Sequence, residues 1–427
     1  MKYFGTDGIR SKWQKVFSLA YPLGVVLSGR HRVVAVARDS RTSSFDIEKE
    51  LVRGLLSGGS DVLLCGVMPT PALAYTVKAR GIDRAVMITA SHNPPEYNGL
   101  KIMGADGKLA ESEEENIDTA IDHFQDYQIS ASGRVDILSG AVREYKRHVL
   151  SLFEGLDLTA LDRPIYLDTA HGCFSYIAKD VFETLGADVV ALNNDYDGER
   201  INVGCGATAM DEFVTQIPDR AIGFGFDGDG DRVLAVIDGK IYDGDQILYN
   251  IACHYKSKSC GINGVVGTIM TGGGIEKALA KQKMTLFRSD VGDKYVAEMM
   301  REKCAILGGE KSGHIIVGDK TNTGDGLITA ISFVKAYMDG CVKKVREYLV
   351  YCHNIDSLKP KETFESEDFQ LKIANFVGKI GKRGRVIVRP SGTEPVIRLT
   401  VEMYDNRLDC EKLISEIFQN KNQQKTR

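Results

Sequence analysis

The chain has 427 residues, of which 43% are hydrophobic and 26% charged, and its formal net charge is −4. Those values suit a globular protein of about two to four domains. With no block of five like charges, nothing favours nucleic acid or a membrane surface as partner. No apolar run reaches the roughly 18 residues that a spanning helix needs. The nine cysteines are dispersed, without a C-x-x-C pair, which points to reduced thiols and a cytoplasmic location. Met1 to Gly5 has no apolar core, so a signal peptide is not expected.

In chain order, Phe4-Gly5-Thr6-Asp7-Gly8-Ile9-Arg10 reads as a folded loop. Val33 to Ala37 is an expected strand, followed by polar Arg38-Asp39-Ser40-Arg41 and an N-cap at Ser43 or Ser44. The next helix places Ile47, Leu51 and Leu55 on one face. Val62 to Leu64 is a second strand, Pro71 to Ala79 a helix, and Ala85 to Ile88 a third strand. A helix is expected from Glu111 to Phe124, with Glu113-Glu114-Glu115 as its solvated face. The rhythm then restarts with a strand at Pro164 to Leu167, a helix at Phe174 to Leu185 and a strand at Asp188 to Leu192. Strands at Ala221 to Phe226 and Val233 to Ile237 flank an acidic loop, and Asp238-Gly239-Lys240 reads as a tight turn. A third round carries a strand at Val265 to Ile269 and helices at Ile275 to Lys281 and Lys294 to Lys303. Lys359 to Ser366 reads as a linker, before two strands about Pro390 and a closing helix from Asp409 to Phe418. Strands alternating with helices mean mostly parallel sheets.

Four polar loops carry the chemistry. Phe226-Asp227-Gly228-Asp229-Gly230-Asp231-Arg232 has three carboxylates at alternate positions. Such crowding repels unless a cation sits among them, and hard oxygen ligands suit Mg²⁺. An EF-hand needs glycine where Arg232 stands and helices on both sides, whereas Val233 to Ile237 is a strand. Gly223, Gly225 and Gly228 satisfy G-x-G-x-x-G, but they open no helix. Thr89-Ala90-Ser91-His92-Asn93-Pro94 follows a strand, so Ser91 stands where α/β proteins place reactive groups, although a serine there also serves as an ordinary turn or cap. In an extended loop the neighbouring His92 would diverge from Ser91, which argues against a Ser–His dyad.

Arg389-Pro390-Ser391-Gly392-Thr393-Glu394-Pro395 with Arg398 offers hydroxyls, amides and guanidiniums to a phosphate. Gly308-Gly309-Glu310-Lys311-Ser312-Gly313-His314 mixes donors and acceptors suited to sugar hydroxyls. Gly272-Gly273-Gly274 is not a P-loop, since no G-K-[ST] follows, and reads as structural.

Together these loops resemble the phosphohexomutase superfamily, in order and spacing, over nearly the whole chain. Lys2 to Arg10, Asp197-Gly198-Glu199-Arg200-Ile201-Asn202 and Val291-Gly292-Asp293-Lys294-Tyr295-Val296 are most similar to its phosphoglucosamine mutase branch. The resemblance implies three related mixed α/β domains and a smaller C-terminal α+β domain round a central cleft. Their expected spans are 1–135 with the phosphoserine loop, 136–239 with the metal loop, 240–358 with the sugar loop and 359–427 with the phosphate loop. It implies a phosphorylated Ser91 that holds one Mg²⁺ with Asp227, Asp229 and Asp231. Arg10 and Lys101 would flank the transferring phosphate, with His314 as proton shuttle. Thr6, His92, Arg232, Lys294, Glu310, Ser312, Arg389, Ser391, Gly392, Thr393 and Arg398 would bind substrate. The implied reaction interconverts glucosamine 6-phosphate and glucosamine 1-phosphate through a hexosamine 1,6-bisphosphate, with a phosphomannomutase or phosphoglucomutase as the alternative. The expected partner is a small phosphosugar, and a homodimer is left open. A phosphosugar-binding protein without turnover would not need the metal loop. A serine-dependent phosphatase would not need the second phosphate cradle.

Overall fold

The computed structural model of the chain describes residues 1–5, 7–105, 107–124, 133–258, 261–391, 395–405 and 408–418. Its contacts divide it into two units, Met1–Thr268 with Gln282–Lys344, and Ile269–Lys281 with Val345–Arg427.

The first unit holds three sheets, each built round parallel strands. In the first, Arg84–Ile88, Val33–Arg38 and Asp61–Val67 run parallel at the centre. Their near-continuous apolar runs suit a sheet covered on both faces. Helix Ser44–Ser57 buries Ile47, Leu51 and Leu55, the stripe its sequence predicts. Tyr97–Gly104 returns antiparallel beside Arg84–Ile88 and places Lys101 opposite Met87. In the second sheet, Ile165–Asp168, Val189–Leu192 and Ile222–Phe226 are parallel, and Val233–Ile237 folds back as a hairpin. In the third, Gly264–Thr268 lies between Thr285–Ser289 and Leu307–Gly309, with Ile315–Val317 antiparallel at the edge. Each sheet therefore aims a strand-end loop at the chemistry. The second unit is a three-stranded antiparallel sheet in the order Leu349–Asp356, Val396–Met403, Gly384–Pro390. Phe376, Ile380, Leu399, Val401 and Leu413 fill its core.

Several expectations need correction. The segment read as a loop at Phe4 to Arg10 includes two strands, Phe4–Gly5 and Gly8–Lys12, paired antiparallel. The N-cap position of helix Ser44–Ser57 is Ser43, but no side chain caps it, and the Ser44 hydroxyl donates to Asp39 instead, 2.8 Å away. The acidic run is not a solvated face: Glu113 pairs with Arg84, and buried Glu114 pairs with Lys294 at 3.2 Å. The helix expected from Phe174 is regular only over Ala178–Thr184. Lys359 to Ser366 is no linker, because Pro360–Glu365 is helical, with proline at its first position where no N–H is needed. Strand Leu349–Asp356 belongs to the C-terminal sheet, so that sheet begins before the boundary expected at 359. Asp238 and Gly239, both at positive φ, form the expected tight turn.

Candidate active site

Strand Arg84–Ile88 ends, and the backbone turns sharply at Ser91, which has φ 53°. Its N–H donates to Thr89 Oγ1 at 2.9 Å, and its side chain is fully buried. From there Oγ donates to Asp227 Oδ2 at 2.7 Å, although the two residues are 136 positions apart. The left-handed turn also corrects the expectation for His92, whose Nδ1 lies 3.3 Å from Ser91 Oγ. The side chains do not diverge, because the loop is not extended. Burial, with Arg232 and Arg10 nearby, lowers the His92 pKa to about 3. His92 is therefore a neutral hydrogen-bond partner of Ser91 and a weak base.

The aspartate loop bridges the antiparallel strands Ile222–Phe226 and Val233–Ile237. Gly230 has φ 75°, and a Cβ there would stand 2.5 Å from the Phe174 ring, so the tight turn over that ring requires glycine. Asp227 Oδ1 accepts from the N–H groups of Gly230 at 3.1 Å and Arg232 at 3.2 Å, which leaves Oδ2 for Ser91. All three aspartates are buried, and one carboxylate oxygen from each lies within 4.8 Å of the others. Among the described residues, Asp229 Oδ1 and Asp231 Oδ1 have no hydrogen-bond partner. Burial, with Asp231 and Asp229 beside it, pushes the Asp227 carboxyl well above the usual carboxylate range. Three buried carboxylates, two of them with an unpartnered oxygen, fit a hard divalent cation.

Lys101 crosses from the first sheet to this loop. Its Nζ donates to Asp229 at 2.7 Å and Asp231 at 2.8 Å, and lies 3.0 Å from Asp7. Burial opposes its charge, but Asp229, Asp231 and Asp7 outweigh it and hold its pKa well above the lysine value. Asp7 also pairs with Arg10 and with Lys108. Thr70 donates its hydroxyl to Asp229 at 2.5 Å, and its N–H to the carbonyl of the same residue. Asp7, Thr70 and Lys108 were not among the expected site residues. Asp7 stood in a motif already singled out, whereas Thr70 carried no local signal.

The Gly308–His314 loop joins the aspartate loop through the backbone. Val233 N–H donates to the Gly313 carbonyl at 3.1 Å, and Arg232 pairs with His314 as an antiparallel bridge. His314 is buried with Nδ1 3.7 Å from Asp231 and Nε2 3.5 Å from Asp293. Burial opposes its protonation, but the two carboxylates prevail and raise its pKa. Glu310 accepts from the Gly292 N–H at 3.1 Å, and Ser312 is exposed beside it. Arg232 lies within 4.0 Å of both Asp227 and Asp231. A cavity of about 800 Å³ opens beside these groups, lined by Lys108, Asp293, Lys294, Arg301, His314 and Asn322 among others.

In the second unit, Ser391 N–H closes the loop by donating to the Val396 carbonyl at 2.9 Å. Arg389 and Arg398 lie directly opposite each other across two strands. Burial, then Arg398, lowers the Arg389 pKa. Two guanidiniums on one face suit an anion. Thr6, Gly392 and Thr393 lie outside the described residues. The triple glycine is structural, as expected: Gly273 N–H donates to the Glu402 carboxylate at 2.8 Å, so the chain supplies its own anion.

Profiles of the phosphoglucomutase/phosphomannomutase family match residues 1–128 (alpha/beta/alpha domain I), 243–350 (domain III) and 354–416 (the C-terminal domain). A phosphoglucosamine mutase of Thermotoga maritima is 40% identical over 98% of this chain and 98% of its own length. One from Teredinibacter turnerae is 37% identical over 94% of each. The chain belongs to the phosphoglucosamine mutases of the phosphohexomutase superfamily. The fold of a phosphoglucomutase/phosphomannomutase family protein from Burkholderia thailandensis is similar, with a TM-score of 0.76 at 22% identity, over 96% of this chain and 97% of that one. So is that of an Aspergillus fumigatus N-acetylphosphoglucosamine mutase in complex with GlcNAc-6P and magnesium, at 0.68 and 17% over 97% and 94%. Among the described residues no helix is long and apolar enough to cross a membrane.

Proposed function

We propose that this phosphoglucosamine mutase interconverts glucosamine 6-phosphate and glucosamine 1-phosphate by phosphoryl transfer through Ser91. The observation that carries the reading is the Ser91 hydroxyl, buried and 2.7 Å from the first aspartate of a cation-suited triad. A hydroxyl so placed is a carrier of a phosphoryl group rather than a turn cap.

Asp227, Asp229, Asp231 and the phosphate on Ser91 would hold Mg²⁺, which supplies charge neutralisation and polarisation of the phosphoryl oxygens. The chain's own part runs in two halves. The free hydroxyl of the sugar attacks phosphorus on phosphoserine 91, the P–Oγ bond breaks, and a bisphosphate results. The bisphosphate turns over, Ser91 Oγ attacks its other phosphorus, and the isomeric monophosphate leaves. In the first half the attacking hydroxyl gives up its proton to the enzyme and the departing Ser91 Oγ takes one up; in the second half Ser91 Oγ–H gives its proton up and the departing sugar oxygen takes one. His314, clamped by Asp231 and Asp293, is the proposed proton carrier at Nε2. Lys101 and Arg10 steady charge on the phosphoryl oxygens. Glu310 and Ser312 hold sugar hydroxyls, Lys294 and Arg232 line the same side, and Arg389, Ser391 and Arg398 take the non-transferring phosphate. A serine-dependent hydrolase would have no use for that second grip.

Relative kcat/KM for the 6-phosphates of glucosamine, glucose and mannose tests the reading. Glucosamine 6-phosphate is expected to lead. Equal or higher values for the hexose phosphates would move the chain to the phosphomannomutase/phosphoglucomutase activity.

A further inference from the structure

Arg41 is the largest of the fully buried side chains among the described residues, and no part of the proposed reaction uses it. Its guanidinium has five N–H donors, and five acceptors surround it. Nε donates to Asp39 Oδ2 at 2.9 Å. Nη1 donates to the carbonyls of Pro94 at 2.5 Å and Tyr97 at 3.1 Å. Nη2 donates to the carbonyls of Ser91 at 2.9 Å and Asn93 at 2.7 Å. Four of the five acceptors thus belong to one loop, the loop of the nucleophile. Asp39 is itself held, by the Arg41 N–H and the Ser44 hydroxyl.

A second group grips two of the same carbonyls from the turns that follow strand Val189–Leu192. Asn202 Nδ2 donates to Ser91 O at 2.9 Å and Asn93 O at 3.1 Å. The Ser91 carbonyl is therefore pinned from two sides. Ser91 is a residue with a Cβ in the left-handed region, a conformation that persists only where surroundings over-determine it. A buried charge is a costly way to fill space, and an apolar side chain here would strip Asp39 and the loop carbonyls of this donor. What an arginine adds is a rigid fork that holds several carbonyls at fixed directions, which a lysine does not reproduce.

We propose that Arg41 and Asn202 are positioning residues that lock the Ser91–Tyr97 loop, turning the Ser91 carbonyl inward and its Oγ toward Asp227. The proposal rests on Ser91 as the phosphoryl carrier. Neither residue is among those proposed to hold the substrate, so the lock acts on kcat and on loop mobility rather than on binding. Arg41→Lys and Asn202→Ala should lower kcat about a hundredfold with KM within about twofold, as a small misplacement of a reacting group does. Amide hydrogen exchange over residues 89–98 should quicken in both, with exchange elsewhere unchanged. Guanidinium added to Arg41→Ala should restore part of kcat, and Asn202→Ala stands in if that variant does not fold. Wild-type exchange rates in the loop, or an unchanged kcat in both variants, would overturn the lock. A wild type without mutase turnover would instead refute the assigned reaction, and the exchange rates would still decide the positioning.

Discussion

Arg389 and Arg398 face each other across neighbouring antiparallel strands, register partners with the same charge. Like charges opposed in a sheet are destabilising on their own. The two guanidiniums stand on one face, as the proposed grip on the non-transferring phosphate needs. Arg398→Ala should therefore raise KM for the sugar phosphate roughly 10–100-fold, the equivalent of one charge-assisted contact worth about 1.5–3 kcal/mol. Phosphorylation of Ser91 should stay at the wild-type level, and the KM gap should narrow at high salt, where the wild-type grip is screened. Steady-state kinetics at two ionic strengths decide this. An unchanged KM would make the cradle structural.

Ser91→Ala should abolish mutase turnover, because the phosphoryl group then has no carrier. Intact mass of active enzyme should show one added phosphate that the variant lacks. Full turnover in the variant would remove Ser91 from the reaction.

Asp229→Asn takes one charge from the carboxylate triad and leaves the shape of the side chain. Mg²⁺ affinity should fall by more than the roughly 10–100-fold that loss of an outer-shell partner costs. Activity should fall with it, while the circular dichroism stays as in wild type. Titrating metal-stripped enzyme with Mg²⁺ measures the shift. Wild type that keeps its rate in excess EDTA would exclude a metal at this loop.

Asp325 N-caps helix Gly326–Met338 and accepts the buried Tyr145 hydroxyl at 2.8 Å. Burial outweighs those hydrogen bonds and raises its pKa from 3.8 to about 6. The folded state therefore holds the proton more tightly than the unfolded chain does. The stability it contributes is complete below about pH 4 and is lost as pH rises through 6, by up to about 3 kcal/mol. Asp325→Asn keeps the cap without the titration. Relative to wild type, the variant should gain stability between pH 4 and 7 in urea unfolding. A difference that stays constant across that window would show that Asp325 does not titrate there.

The strands, the amphipathic helix at Ile47, Leu51 and Leu55, and the aspartate loop were legible because each depends on local pattern. The partners of those loops were not. Thr70 meets Asp229 across 159 residues and Lys101 meets Asp231 across 130, separations that no window of sequence spans. Arg41 stood in view as part of a polar strand end, yet nothing local says that a guanidinium will be fully buried. His92 stays beside Ser91 because Ser91 turns left-handed, a conformation that nothing in the local sequence of a non-glycine residue announces. Polarity does not separate a linker at Lys359 from the helix that stands there, since a short surface helix with no buried residue looks the same in sequence.

The backbone ladder joining Val233 to Gly313 and Arg232 to His314 has a practical bearing on redesign. Two loops from different sheets share one continuous set of main-chain hydrogen bonds. The exchangeable module of this scaffold is therefore not the individual domain. A chimera that imports the Gly308–His314 loop from a relative, to alter sugar choice, must import the hairpin 226–237 with it. A graft cut between them would leave main-chain donors and acceptors unmatched at the centre of the site.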